Sequence, residues 1–344
     1  NKTELMRLGK SRRQVSDRAS MNGRYLDGAV VMTLVLAGVL FGTAVMTGTA
    51  TAQATAPDCS EVTYDVGDGS PTDPYEVGSV EQLQCIEEQD LSASYELVSD
   101  IDASGTSEWN GGDGFEPIGD VRDPESFSGI FDGNDRTISG LTINRPGDAR
   151  AGLFDHIRNG EVTNVTLDKV DITGDTRVGG IVGFAEGARL DGSAVNGTIA
   201  GSSSVGGIVG VFYNIEGSIT QDPVRSSLSE SYVGGTVTGR NVGGIAGQNR
   251  GTIQNVYSTA SVGNDTKVGG IIGINGNEGI VRDSYAAGEI TGTDYVGGIV
   301  GQSGGDVTDS YWDTEVTGQQ SGIGLGTSGA NVEGLVTDEM KGTD

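Results

Sequence analysis

Val296-Gly-Gly-Ile-Val-Gly301 is the stretch that decides the fold, because nearly the same six residues occur five times. The four earlier copies are Val178–Gly183, Val205–Gly210, Val242–Gly247 and Val268–Gly273. The steps from valine to valine are 27, 37, 26 and 28 residues, so the period is near 27 with one insertion. A fixed period of this size indicates stacked structural repeats.

Weaker copies extend the series towards the N-terminus. Arg150-Ala-Gly-Leu-Phe-Asp155 lies 28 residues before Val178, and Phe127-Ser-Gly-Ile-Phe-Asp132 lies 23 residues before that. The array therefore begins well before its clearest members.

Each repeat contains three short apolar runs separated by Gly, Asn, Asp and Thr. In one repeat they are Ile280–Tyr285, Glu289–Thr291 and Val296–Val300. Such runs are too short, and too rich in glycine and β-branched residues, to be helices, so they predict strands joined by corners. We expect an all-β fold, a right-handed parallel β-helix (β-solenoid), in which each rung pairs with the next about 4.8 Å away.

The composition predicts a thin core. Aromatic residues are only 6% of the chain and glycine is 59 of 344 residues, so stability must come from rungs that cover one another. We expect one isoleucine of each copy to stack in a ladder: Ile181, Ile208, Ile245, Ile271 and Ile299. The alternative is a disordered Gly/Ser/Thr-rich linker, but linkers do not keep Val and Ile in register through five copies.

The repeat resembles the GLUG motif of bacterial and archaeal cell-surface proteins. The VGG[IV] core carries the resemblance, together with Phe115–Gly119 and Phe131–Asn134 before the array and Ser310-Tyr-Trp-Asp-Thr314 at its end. The resemblance runs from about Cys59 to the C-terminus. It implies a secreted or surface β-solenoid and no established biochemical activity.

The N-terminal 54 residues are typical of an export signal or a membrane anchor. Residues 1–27 carry seven Lys or Arg, and residues 29–46 form a nearly continuous apolar run. Ala52-Gln-Ala54 supplies small residues that favour cleavage after Ala54 over a retained anchor. We therefore expect a protein that is secreted or exposed on the cell surface, and that contacts a membrane only through this segment.

Four regions are predicted along the chain. Residues 1–54 are the signal or anchor, 55–125 a cap and lead-in, 126–318 the repeats, and 319–344 a C-terminal end that we interpret as truncated. Ser79-Val-Glu-Gln82 is a capping box that predicts a short helix through Glu88 over the first rung. The insertion between Val211 and Ser229 should project from one corner of the stack.

From Thr55 onwards the chain is strongly acidic. Subtracting the seven basic and three acidic residues of the first 27 from the totals of 21 and 48 leaves 14 basic and 45 acidic residues, a formal charge of −31. Such a surface repels nucleic acid and anionic lipid. The even spread of carboxylates resembles proteins of salt-loving archaea, and we expect folding to need high salt to screen the repulsion.

Few residues are candidates for covalent modification. Cys59 and Cys85 are the only cysteines, and the sequence allows two alternatives: a disulfide between them, or two separate thiols. Three glycosylation sequons begin at Asn164, Asn196 and Asn264, although sequons also arise by chance in repeats rich in Asn and Thr.

We predict no catalytic, cofactor-binding or metal-binding residues. Calcium is the alternative, from Asp100-Ile-Asp102, Asp113 and Asp132-Gly-Asn-Asp135, although Asp-Gly and Asn-Gly pairs are also ordinary corner chemistry. The sole histidine, His156, is interpreted as a corner residue and not as a base.

Three functions remain open: a non-catalytic adhesive or spacing module of the cell envelope, a glycan-active β-helix enzyme (a lyase or hydrolase), and a passive stalk for a further domain. A surface glycan or an S-layer is the expected partner of the first. Tyr232, Tyr257 and Tyr285 recur at one repeat position. Outward rings would form a stripe that binds glycans; we expect inward rings, because Leu167 occupies the place that we take as equivalent.

Overall fold

The computed structural model describes residues 55–119, 126–215, 226–326 and 329–341. The predicted signal or anchor at 1–54 lies outside the described residues, and so does 216–225 of the predicted insertion, with Gln221–Pro223. No helix within the described residues is long and apolar enough to span a membrane.

The described residues form four sheets of short parallel strands, numbered 1 to 4 here. Sheet 1 contains, in order of pairing, Tyr75–Val77, Ser94–Leu97, Ile130–Asp132, Glu161–Thr163, Arg189–Asp191, Ser227–Ser229, Thr252–Gln254, Ile280–Arg282 and Asp306–Thr308. Sheet 2 contains Ile101–Asp102, Thr137–Ser139, Thr142–Asn144, Thr166–Thr173, Ala194–Ala200, Tyr232–Gly239, Tyr257–Ser258, Ser261–Asn264, Tyr285–Ala286, Ile290–Thr291, Ser310–Asp313 and Val332–Leu335.

The other two sheets are built from the repeated motif. Sheet 3 contains Arg150–Ala151, Arg177–Gly179, Val205–Gly206, Val242–Gly243, Thr266–Gly269 and Asp294–Gly297. Sheet 4 contains Phe154–Arg158, Val182–Glu186, Val209–Tyr213, Ala246–Asn249, Ile272–Asn275, Val300–Ser303 and Ile323–Gly326. Each strand pairs with the equivalent strand of the next rung, which makes the fold a parallel β-helix, as the repeats predict.

A rung has four walls, not the predicted three. The run Val296–Val300 is split by the Gly-Gly pair into the end of a sheet 3 strand and the start of a sheet 4 strand. The run Ile280–Tyr285 is split at Asp283, whose φ of 51° turns the chain from sheet 1 into sheet 2. Corners inside the apolar runs are therefore what the three-strand prediction missed.

The five motif valines lie in one sheet, as predicted. Val178, Val205, Val242, Val268 and Val296 are paired in sequence along sheet 3. The isoleucine ladder is also present and fully buried, and the backbone N–H of each of the first four members donates to the next isoleucine's carbonyl at 2.9 or 3.0 Å: Ile181, Ile208, Ile245, Ile271 and Ile299.

The second glycine of the Val-Gly-Gly-Ile motif is required because the backbones of neighbouring rungs approach closely there. A Cβ atom on Gly207 would lie 2.3 Å from the carbonyl oxygen of Gly244 in the next rung, and 2.4 Å from a methyl group of Val233. Only glycine allows the backbones to approach so closely.

Short helices lie near both ends of the stack. The α-helices are Val80–Gln84, Thr314–Thr317 and Thr337–Lys341, and the 3₁₀ segments are Cys59–Glu61 and Ser104–Gly112. The Ser79 hydroxyl accepts the N-cap hydrogen bond from Gln82, but the α-helix ends at Gln84, four residues before the predicted Glu88. Parallel pairing extends beyond the predicted limits of 126–318, from Tyr75–Val77 to Val332–Leu335.

Candidate functional site

The candidate modification sites lie far apart along the stack. Cys59 and Cys85 form a disulfide that ties the first 3₁₀ turn to the cap helix. The Asn164 and Asn196 side-chain amides donate to the carboxylates of Asp132 and Asp168, whereas Asn264 is exposed at the end of a sheet 2 strand.

Three of the aspartates considered for calcium, Asp100, Asp102 and Asp132, accept hydrogen bonds from N–H groups at corners. Asp100 accepts from Thr137 N at 3.0 Å, and Asp132 accepts from Asn134 N at 2.9 Å. Asp102 accepts from Ser104 N at 3.0 Å, and this hydrogen bonding lowers the pKa of its carboxyl. Among the described residues, no three His, Cys, Asp or Glu side chains converge to hold a metal ion.

His156 lies inside the sheet 4 strand Phe154–Arg158, so the prediction of a corner residue is wrong. Pairing places it beside Phe184 of the next rung, and the two rings stack with centroids 5.0 Å apart. The side chain is 3% exposed, and burial, followed by the charges of Arg150, Arg158 and Arg177, lowers its pKa to about 4. A buried imidazole of such low basicity is a poor general base.

The recurring tyrosines face outward, contrary to the sequence prediction. Pairing aligns Leu167 with Val195 and then Val233, which are fully buried, whereas Tyr232 aligns with Ala194 and Thr166. Successive side chains in a strand point to opposite faces. A shift of one residue in the assumed equivalence therefore reversed the predicted side.

The outward tyrosines form a continuous row across adjacent strands of sheet 2. Tyr232, Tyr257, Tyr285 and Tyr311 are paired in sequence and are called the tyrosine row below. The first three rings stack with centroids 5.1 and 5.0 Å apart and planes within 5° of parallel. Their faces cover one another, so the row presents mainly ring edges to its surroundings.

The end of the row lies among acidic residues. Burial and the charges of Glu333, Asp309 and Asp283 raise the pKa of Tyr311. A raised pKa favours the neutral phenol, whose O–H is a hydrogen-bond donor, over the phenolate.

A groove lies beside the tyrosine row on the same sheet. Its volume is about 400 Å³, and we call it the hydroxyl groove after its lining: Thr236, Thr238, Ser261, Val262, Gly263, Asn264, Glu289 and Thr291. Tyr232 and Thr236 share a strand, so the row and the groove lie roughly 13 Å apart along it at about 3.3 Å per residue.

Glycine explains why the groove forms at this place. Gly263 is paired between Thr238 and Thr291, and a Cβ atom there would lie 2.2 Å from the Thr291 hydroxyl. The row of side chains across sheet 2 is therefore interrupted in this rung. Three of the tyrosines are recognisable from the repeat in the sequence, whereas the groove is marked only by a glycine where the neighbouring rungs carry threonine.

Stacked parallel strands with one outward tyrosine row define the chain as a parallel β-helix protein with a repetitive surface. The model of the GLUG motif family matches residues 265–291, which is one rung. The chain therefore carries a GLUG motif in this rung, as its sequence repeat predicts.

Two relatives share part of the chain. Halomucin of Haloquadratum walsbyi is 42% identical over 138 residues, which is 39% of this chain and 2% of Halomucin. A protein of Evansella cellulosilytica named "Putative Gly-rich membrane protein" is 36% identical over 104 residues, 29% of this chain and 12% of that protein. The chain thus spans a small part of these relatives, and the likeness supports the general expectation of a cell-surface or membrane-associated protein.

Two solved structures share the fold. A "putative immunoglobulin A1 protease" from Bacteroides ovatus matches with a TM-score of 0.60 and 21% identity, covering 82% of this chain and 90% of that one. A structure named "IgA1 Protease" matches with a TM-score of 0.57 and 18% identity, covering 77% of this chain and 24% of that one. At this identity the likeness concerns the fold alone.

Proposed function

We propose that this protein is an exported, non-catalytic module of the cell surface that adheres to a repetitive glycan through the outer face of sheet 2. The observation that carries the proposal is the tyrosine row with the hydroxyl groove beside it. Phenolic and aliphatic hydroxyls can both donate and accept hydrogen bonds, and this capacity matches a polyhydroxylated partner.

Repetition provides affinity on a shallow surface. Four successive rungs offer tyrosine ring edges displaced by about 4.8 Å, so weak contacts with a repetitive partner add through multivalency. The apolar segment 29–46 supports export, and the likeness to a protein named as a membrane protein supports a place in the cell envelope.

Two features of the described residues support a non-catalytic role. The sole histidine is buried with a lowered pKa, and the aspartates considered above bind N–H groups at corners of different rungs. A glycosidase needs two carboxyl groups about 5 to 10 Å apart across one cleft.

The experiment is a glycan array probed with wild-type protein in molar salt, compared with Tyr285→Ser and Ser261→Leu. We expect each variant to weaken binding without abolishing it, because one interrupts the tyrosine row and the other blocks the hydroxyl groove, while the remaining rungs still bind. Matched controls are Tyr295→Ser, an exposed tyrosine on sheet 3, and Thr198→Leu, which lies in the same sheet 2 row as Ser261 but outside the groove.

Removal of one whole rung tests the multivalent mechanism. Thr252 pairs with Ile280, so deletion of residues 252–279 joins Gly251 to Ile280 and keeps the neighbouring strands in register. Glycan binding should weaken gradually as rungs are removed. Unchanged glycan binding in Tyr285→Ser, or an activity lost on replacing one carboxylate, would refute the proposal.

A further inference from the structure

A cluster of cationic and aromatic side chains lies on the outer face of sheets 3 and 4 in the early rungs, away from the tyrosine row. Its members are Arg150, His156, Arg158, Arg177 and Phe184, called the arginine patch below. Arg150 and Arg177 are paired on sheet 3, and His156 and Phe184 are paired on sheet 4. The cluster therefore spans two adjacent rungs.

The patch has a local excess of positive charge. Arg150 Nε lies 2.6 Å from Asp155 Oδ1, and Arg158 Nε lies 3.8 Å from Glu186 Oε1. The Arg177 guanidinium lies 5.4 Å from the centre of the Phe184 ring. Three guanidinium groups thus face two carboxylates, in a region of the chain, 55–344, whose formal charge is −31.

His156 gives independent evidence of an incomplete polar environment. Its side chain is 3% exposed, and neither ring nitrogen has a hydrogen-bond partner in the described part of the chain. Its Nε2 lies 3.6 Å from Glu186 Oε1, beyond hydrogen-bond distance. Burial, and after it the charges of the three arginines, lower its pKa. Buried polar atoms without partners are rare in folded proteins, and the N–H of the neutral imidazole can donate a hydrogen bond to a bound anion.

The cationic face continues into later rungs. Tyr213 is in register with Glu186, and its ring packs edge to face against Phe184 with centroids 5.9 Å apart. The Arg250 guanidinium lies 4.6 Å from the centre of the Tyr213 ring. Arg177 and Arg250 therefore contact the two ends of the Phe184–Tyr213 pair, and this extended arrangement suits a polymer better than a small molecule.

We propose that the arginine patch binds the carboxylate or sulfate groups of an acidic polysaccharide. The planar guanidinium fork forms paired hydrogen bonds with such groups, and arginine remains charged at every relevant pH. An anion bound here would balance the excess positive charge beside His156. This site lies on another face from sheet 2, so it stands or falls independently of the proposed function.

The test is affinity electrophoresis of the full chain in gels containing polygalacturonate, dextran sulfate or neutral dextran, at salt concentrations where circular dichroism shows the native fold. We expect an anionic polymer to retard the protein and neutral dextran not to. The first two polymers distinguish carboxylate from sulfate recognition. Arg177→Gln should weaken the retardation about tenfold, in line with loss of a charge-assisted hydrogen bond.

The matched control is Arg189→Gln, which removes the same charge from an exposed arginine on sheet 1 that pairs with Glu161. If Arg177→Gln does not fold, Arg158→Gln replaces it, since Arg158 is 54% exposed. Equal weakening by the patch variant and by Arg189→Gln would overturn the proposal in favour of non-specific charge attraction. Self-association in sedimentation that Arg177→Gln abolishes, without polymer binding, would make the patch an interface between copies of this chain.

His156 supplies a second readout because it is the only histidine in the chain. Its Hε1 resonance should shift when polygalacturonate or dextran sulfate is added, and the histidine pKa should rise because the bound anion offsets the three arginines. Neutral dextran should leave both unchanged. Polymer binding without any effect on this resonance would place the bound anion elsewhere and overturn the assignment.

Discussion

The first rungs and the later rungs bury different side chains. The first rungs bury aromatic rings: Tyr95 packs near Phe127, Phe127 lies 4.8 Å from Phe154, and Phe131 meets Phe154 edge to face at 5.5 Å between ring centroids. From Val178 to Val300 the inward positions are mostly valine and isoleucine, closed by Gly-Gly corners.

The difference follows from what each region has for neighbours. A later rung is covered on both sides by equivalent rungs, so identical small side chains can stack and the backbones can approach closely. The first rungs have irregular neighbours, among them the cap helix Val80–Gln84 and the 3₁₀ segment Ser104–Gly112. Large rings of varied shape fill such irregular space. The later rungs are therefore stabilised by the stacking of identical small side chains, and the first rungs by the burial of large aromatic rings.

The largest effect should come from a methyl group placed between two later rungs. Gly207→Ala forces a Cβ atom to within 2.3 Å of the Gly244 carbonyl, a backbone atom that cannot move away, and should cost more than about 4 kcal/mol of unfolding free energy. In the cap region, Gly105→Ala meets nothing within 4 Å and should change stability by less than about 0.5 kcal/mol. Urea unfolding monitored by circular dichroism compares them, and similar losses for both would contradict close approach as the cause.

The second comparison uses one inward row of sheet 1 that runs from the aromatic to the aliphatic region. Phe131→Ala, at the early end, should cost about 4 kcal/mol because it leaves a large cavity against Phe154. Val281→Ala, further along the same row, removes two methyl groups and should cost about 2 kcal/mol. Equal losses in urea unfolding would show that the early rings pack no better than the later aliphatic side chains.

The third effect concerns the disulfide, which is confined to the early end. Cys59 and Cys85 are 26 residues apart, and a loop of this length predicts a stabilisation of about 3 kcal/mol. Reduction should therefore increase hydrogen exchange in Tyr75–Val77 and Ser94–Leu97, but leave the strands of the later rungs protected. Loss of protection throughout the chain on reduction would show that the cap and the later rungs unfold as one unit.

The later rungs were predictable from sequence because their repetition is visible in single letters. Five copies of VGG[IV] predicted that Val178 to Val296 stack in one sheet and that the isoleucines form a ladder, and the structure has both. The corner at Asp283 was missed although it recurs: the residue after each of the last six sheet 1 strands has positive φ, at Asn164, Gly192, Glu230, Asn255, Asp283 and Asp309. Five of these six residues are Asn, Asp or Gly, which adopt positive φ most readily. The packing of the aromatic rings in the first rungs was not predictable, since each ring fills a space of different shape and no residue pattern repeats there.

Prediction of the tyrosine row required the exact register of each strand, which the period of the repeat alone does not give. Tyr232 and Val233 are adjacent in sequence and lie on opposite faces, so an error of one residue reversed the predicted side of the tyrosine row. The arginine patch lies on sheets 3 and 4, whose separation by the Gly-Gly corner was not predicted. Contacts between neighbouring walls, such as that of Arg177 with Phe184, require the coordinates.

The smallest effect compares an early and a later position in one outward row of sheet 4. His156 begins the row, and Gln248 occupies the same position three rungs later. Burial and neighbouring arginines lower the folded-state pKa of His156 to about 4, from 6.5 in the unfolded chain. The unfolded state therefore binds the extra proton first. The stability that the neutral histidine contributes is complete above pH 6.5 and is lost as the pH falls towards 4.

His156→Gln places the residue of the later rung at the early position and should remove this dependence. Between pH 7 and pH 4.5, at constant salt, the unfolding free energy of the wild type should fall by about 2 kcal/mol more than that of the variant. The aspartates whose pKa values are lowered by hydrogen bonds, such as Asp90 and Asp102, lose their contribution only below about pH 3.8, so this window isolates the histidine. Urea titrations at the two pH values provide the measurement. Parallel pH profiles would mean that His156 accepts a proton in the folded state as readily as in the unfolded chain, and that its position among three arginines has no energetic consequence.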